Sequence, residues 1–196
     1  MAKQGVNTGA FGKWVSEYLT SLAAYAGYKV YYDHGDTTVE SNVVATKGIF
    51  GDKATNLTRL ADVDVIIVKP DDTIRLLFEI EERPVSPKKI LGNVLACLLC
   101  NRFAVKVSDN TRTKKKKQKY FGIADDTVLL VAGVVPTSGA RLKKICDTIQ
   151  PRMHLLSGLK DAIRPANIHL YFTGDIRSTI HDLKEDVKRR FPGPWS

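Results

Sequence analysis

Asp62-Val63-Asp64-Val65-Ile66-Ile67-Val68, then Lys69-Pro70-Asp71-Asp72-Thr73, then Ile74-Arg75-Leu76-Leu77-Phe78-Glu79-Ile80-Glu81, is the stretch on which the fold turns. Both flanks are rich in apolar and β-branched side chains, which favour strands. The middle piece carries the Pro and Asp of a turn. The spacing predicts an antiparallel hairpin, Asp62 to Val68 against Ile74 to Glu81. Side chains alternate faces along a strand, so Leu77, Glu79 and Glu81 share one face while Phe78 and Ile80 point into the core. Asp62 and Asp64 share a face of the first strand in the same way. Acids from both strands can then meet on one side of a sheet.

Working outward, Phe11, Val15, Leu19, Leu22 and Ala26 recur at helical spacing, and Gly27 marks a helix end. Tyr28 to Tyr32 reads as a strand. Asp33 to Asn56 reads as loop, with at most a short strand near Ser41 to Ala45. Beyond the hairpin, Ser86-Pro87 is an N-cap followed by Pro at the first helical position. Ile90, Leu91, Val94, Leu95 and Leu98 form the expected buried face of that helix. Thr127 to Val135 is an unbroken apolar run, expected as a strand covered on both faces. A helix over Ala140 to Ile149, a strand over Ile168 to Phe172 and a basic amphipathic helix over Asp175 to Arg190 complete the pattern. The order implies one α/β domain over residues 1–196, a mixed central sheet flanked by helices.

The chain has 196 residues, 43% hydrophobic and 26% charged, which excludes disorder of the whole. Its net charge of +9 favours a polyanionic partner, although a basic surface can also serve solubility alone. Three cysteines make an odd count. Cys97 and Cys100 form a C-x-x-C inside an apolar run without a second zinc-spaced pair, so buried reduced thiols are expected. Met1 to Thr8 lacks the apolar core of a signal peptide, and no run is long enough to span a bilayer, so a cytosolic protein without membrane contact is expected. His34, His154, His169 and His181 show no ligand spacing. Gly9-Ala10-Phe11-Gly12-Lys13 and Gly133 to Gly139 miss the phosphate-loop pattern. No Ser or Cys nucleophile stands beside a histidine.

The acids are the exception. Like charges packed among Val65-Ile66-Ile67-Val68 and Ile74 to Phe78 are costly unless a proton or cation joins them. A hard divalent ion such as Mg²⁺ suits carboxylate oxygens. It can activate a water and stabilise a phosphate under in-line attack. With a basic surface, that chemistry points to phosphodiester hydrolysis.

An acidic residue on a first helix, Asp64 opening an apolar strand and Glu79-Ile80-Glu81 ending the next resemble the PD-(D/E)xK nucleases, the restriction-endonuclease-like fold. The resemblance covers roughly residues 11 to 135 in the order of elements and rests on short motifs. It implies a metal-dependent DNA endonuclease, a type II restriction enzyme in its Glu-x-Glu form. Asp64 would be the bridging metal ligand, Glu79 the second, and the carbonyl of Ile80 a third. Glu17 would match the first-helix glutamate. Mg²⁺ is the implied cofactor, with Mn²⁺ able to substitute. The partner is double-stranded DNA, cut by a homodimer or with a partner subunit. A junction-resolving or repair nuclease, an RNA-directed enzyme, or a DNA-binding subunit that has lost catalysis would share these residues.

One position departs from the family. Glu81 stands where a lysine is usual, and could accept a proton from the attacking water or bind a second metal. Lys88 or Lys89, in the first turn of the following helix, could supply the displaced positive charge; both also read as solvated surface lysines. Asp62 competes with Asp64, which is preferred because the apolar run follows it directly. Lys114, Lys115, Lys116 and Lys117 read as a loop that either tracks DNA backbone or is merely solvated. Arg141, Lys143, Lys144, Lys184, Lys188, Arg189 and Arg190 read equally as phosphate contacts or as helix surface. Glu82 faces away from Glu81 and is expected to be structural or exposed.

Overall fold

The computed structural model describes residues 6–32, 46–84, 86–108, 116–135, 144, 147–148 and 163–194. In chain order these form helix α1 (Val6–Ser21), strands β1 (Lys29–Tyr32), β2 (Thr46–Ile49), β3 (Arg59–Val63), β4 (Val65–Val68) and β5 (Thr73–Pro84), helix α2 (Pro87–Leu98), strands β6 (Arg102–Ser108), β7 (Lys116–Val134) and β8 (Ile168–Thr173), and helix α3 (Ile176–Arg190). The expected mixed α/β architecture is present. Eight strands make one sheet in the order β1-β4-β5-β7-β6-β2-β3, with β8 also on β7. β7 runs parallel to β5 and to β8, whereas the other pairs are antiparallel. Among the described residues, no helix is long and apolar enough to cross a membrane.

The expected hairpin exists, but its first arm is shorter. Val65 pairs with Phe78 and Ile67 with Leu76. In the turn, Asp71 accepts from the Thr73 amide at 2.9 Å and Lys69 N donates to Thr73 O at 2.8 Å. Asp72 adopts φ 62°, the left-handed conformation that Asp tolerates. Asp62 and Val63, however, belong to β3, which pairs with β2 through Lys47 and Asp62. Asp64 is the joint between β3 and β4. Since β3 ends the strand order and β4 stands next to its other end, the sheet curls until the two meet at this residue.

Two apolar layers cover the sheet. Val65, Ile67, Leu76, Phe78 and Ile80 pack with Phe11, Val15 and Leu19 of α1 and Leu183 and Val187 of α3. Ile66, Val68 and Leu77 pack with Ile90, Val94, Cys97 and Leu98 of α2 on the opposite face. That division follows the alternation along β4 and β5, and it leaves Glu79 and Glu81 on the α2 side. α2 differs from its expected face in that Leu95 is exposed, Leu91 is only half-buried, and Cys97, one turn on from Val94 and Asn93, is buried. α1 stops at Ser21, short of the end expected at Gly27; a 3-10 turn, Ala23–Tyr25, follows, and Gly27, at φ 98°, closes it in a conformation that strains any side chain.

Two strands, β2 and β6, were not expected from the sequence, and β7 is longer than expected. β2 falls inside the stretch read as loop, while Ser41 to Ala45 lie outside the described residues. β6 has the alternating Phe103, Val105, Val107. β7 extends back through Lys116 and Lys117, which are therefore strand rather than loop, paired with Ser108 and Val107 of β6. Lysine disfavours strands weakly, and a ready-made partner outweighs that preference. The helix over Ala140 to Ile149 falls largely outside the described residues.

Candidate functional site

A cleft of about 670 Å³ opens where β3, the Asp64 joint, β5 and α2 converge. Asp64, Glu79, Glu81, Lys89 and Asn93 line it, with Leu60 and Asp62 on one wall and Thr8 and Glu82 on another. The backbone of Asp64 continues the hairpin ladder, its amide donating to Phe78 O at 3.1 Å. Its carboxylate accepts from the Ile80 amide at 2.6 Å. This pair of contacts holds Asp64 against β5 beside Glu79.

From the facing helix, Asn93 Nδ2 donates to Glu79 Oε1 at 2.9 Å and to Glu81 Oε1 at 3.1 Å. Lys89 Nζ lies 2.6 Å from the same Glu81 oxygen. Ser86 caps α2 by accepting from Lys89 N and so fixes the helix phase. Lys89 and Asn93, four residues apart, then face β5 together. Burial raises the Glu79 carboxyl well above its ordinary range, the neighbouring charges of Asp64 and Glu81 add to this, and Lys89 opposes it. The Cys97 thiol beneath is pushed up by burial and then by Glu79. Cys97 and Cys100 are buried free thiols, as expected.

The remaining candidates are less tightly grouped. Asp62 is exposed at the cleft's edge and forms an ion pair with Arg59. Glu17 is not among the lining residues; it is exposed on α1, 3.7 Å from Lys13. Lys88 is exposed and does not line the cleft, whereas Lys89 does. Lys116 and Lys117 stand on β7, and Lys114 and Lys115 lie outside the described residues. Arg189 and Arg190 pair with the buried Asp186 at 2.9 and 2.6 Å, a helix-internal contact. Glu82 is structural: it accepts from Thr8 N at 2.6 Å, Thr8 Oγ1 at 2.7 Å and Asn7 Nδ2 at 3.0 Å, tying the start of α1 to β5. Asn93 and Thr8 went unnoticed in the sequence. Asn93 was accessible to reasoning through its spacing from Ser86 and Lys89; Thr8 carried no signal, since its partner is 74 positions away.

Among the described residues, no three His, Cys, Asp or Glu side chains converge in a metal-holding arrangement. Mg²⁺ asks for less: one or two carboxylates, with water and phosphate completing its shell. Asp64 and Glu79 meet that requirement as hard oxygen donors. Five carboxylate residues, Asp62, Asp64, Glu79, Glu81 and Glu82, also line the cleft against Arg83 and Lys89, an acidic excess that a divalent cation would relieve. The donor set therefore fits Mg²⁺. No protein-family model, curated protein or solved structure gives a match to this chain.

Proposed function

We propose that this chain is a Mg²⁺-dependent endonuclease that hydrolyses DNA phosphodiester bonds, built on a PD-(D/E)xK-like fold in its Glu-x-Glu form and acting as a type II restriction endonuclease. One observation carries the reading. Asp64, at the β3–β4 joint, and Glu79, on β5, border one cleft, where burial first and then the Asp64 charge raise the proton affinity of Glu79. The order of elements supports it: α1, the antiparallel set β1, β4 and β5, then α2, then β7 parallel to β5.

Bound Mg²⁺, or Mn²⁺ in its place, would acidify a water and neutralise charge on the phosphate. Asp64, oriented by the Ile80 amide, and Glu79 would hold it, with the Ile80 carbonyl the third ligand that the resemblance implies. Lys89 and Glu81 together take the place of the family's single lysine. Lys89 would supply positive charge, Glu81 would accept the attacking water's proton as its oxygen bonds to phosphorus, and the leaving sugar oxygen would take a proton from solvent as its P–O bond breaks. Asn93 keeps Glu79 and Glu81 from swinging apart.

The test is incubation with supercoiled plasmid and Mg²⁺ or Mn²⁺, followed by mapping of cut ends. Unique, repeated ends are expected for a restriction enzyme, and branched-substrate preference would indicate a junction resolvase instead. Glu79→Ala should lose cleavage by at least ~10²-fold; full activity in that variant would remove the site. A second reading, a DNA-binding subunit without its own cleavage, draws on the Lys89–Glu81 contact, which already satisfies the carboxylate. It predicts DNA binding with no cut products under either metal.

A further inference from the structure

A second cleft, of about 540 Å³, lies between α1 and α3. Ala10, Phe11 and Ile180 are its apolar lining, and Arg177, His181, Lys184 and Lys188 of α3 form its rim. The spacing of those four follows the helical repeat, so they share one face. It spans about 17 Å, the axial rise of roughly five phosphates on one strand of a duplex. These side chains are not needed for packing: α3 buries Thr179, Leu183, Asp186 and Val187 on its other face. Lys184 is held over the Trp14 ring, 5.0 Å from its centroid, and Lys188 pairs with Glu185 at 2.7 Å. Three permanent cations thus face one carboxylate.

The position of this groove gives it meaning. Asn7 lines it, and the Asn7 amide donates to Glu82, which lines the acidic cleft. The first turn of α1 is a wall common to both.

We propose that the α1–α3 groove binds the phosphate backbone of duplex DNA and leads it to the acidic cleft. The choice of polyanion rests on the nuclease reading; the groove itself does not. A membrane surface fits worse, because the groove's large apolar side chains do not protrude: Phe11 is fully buried and Ile180 half-buried, whereas membrane binding needs apolar side chains that stand out from the surface.

The experiment is fluorescence anisotropy of a labelled DNA duplex with the full chain in EDTA, across a salt series. Combined Arg177→Gln, Lys184→Gln and Lys188→Gln should lower the slope of log K against log salt by about 2 to 3. Glu185→Gln, at an exposed position, should tighten binding several-fold by freeing Lys188. An unchanged slope in the triple variant, or unchanged or weaker binding by Glu185→Gln, overturns the groove while leaving wild-type cleavage and the nuclease reading intact. Loss of binding to anionic vesicles but not to DNA also overturns it. Absence of DNA binding by the wild-type chain removes both.

Discussion

Glu79 can carry a charge only at a cost. Burial first, then Asp64 and Glu81, hold its carboxyl well above the ordinary range. A carboxyl with a raised folded-state pKa contributes favourably to folding below the unfolded value, near ~4.3, and loses that contribution as pH rises through the folded value. Glu79→Gln should therefore raise the melting temperature at neutral pH without divalent ions. The gain should vanish below about pH 4, where the native residue is protonated in both states. Calorimetry over that range measures it, and lower stability of the variant at neutral pH would contradict the picture. Activity moves the other way, falling at least ~10²-fold. The two neighbouring lysines separate just as cleanly. Lys89→Met, which removes the cation at Glu81, should slow cleavage by ~10²–10⁴-fold. Lys88→Met, outside the cleft, should leave single-turnover rates within about twofold, given how little isolated surface charges contribute.

At the level of elements, α1 reaches the site through its first turn rather than through Glu17. Burial raises the Glu82 carboxyl, but the hydrogen bonds from Thr8 and Asn7 outweigh it and leave the group below its ordinary range. Its stabilising contribution is present above the unfolded value, near ~4.3, and is lost as pH falls through the lower folded value. Glu82→Gln should make α1 exchange its amides faster at pH 7, and the difference from the native chain should shrink in acid; hydrogen exchange resolved by segment reads this. What could be seen beforehand in the sequence has a physical pattern. β4, β5, α2 and α3 announce themselves because their turn and capping chemistry is local: Asp71 in the turn, Ser86 and Asp175 at the helix starts. β6 carries a local signal in its alternating Phe103, Val105 and Val107, whereas β2 and β3, of four and five residues, are defined by pairing with each other rather than by their own patterning. For the same reason Asp64 looks like a residue within one long strand, when long-range pairing of Asp62 with β2 makes it a joint. The alternation along β5, being purely local, placed Glu79 and Glu81 on one face, while the convergence with Asn93 needed the helix to dock.

Across the whole molecule, each side of the sheet serves a different part of the proposed reaction. The α2 side carries the acids, and the α1–α3 side carries the cationic groove, with Glu82 and the first turn of α1 between them. Among the described residues, Asp64, Glu79 and Glu81 border a single cleft, so one chain presents one set of acids to one strand. Opposite strands of a duplex run antiparallel, and a second cut requires a second cleft related by twofold symmetry or a reorientation of the first. If two chains act together, linear plasmid should appear with a steeper than first-order dependence on protein concentration. If chains act singly, nicked circles should accumulate first, and linear product should follow only from a second, independent event. Gel analysis of plasmid forms across a protein titration, read beside sedimentation of the protein–DNA complex in Ca²⁺, distinguishes these courses. Direct linearisation, without nicked circles, by a complex that sediments with one chain per duplex would contradict the requirement for paired clefts, because one cleft would then cut both strands.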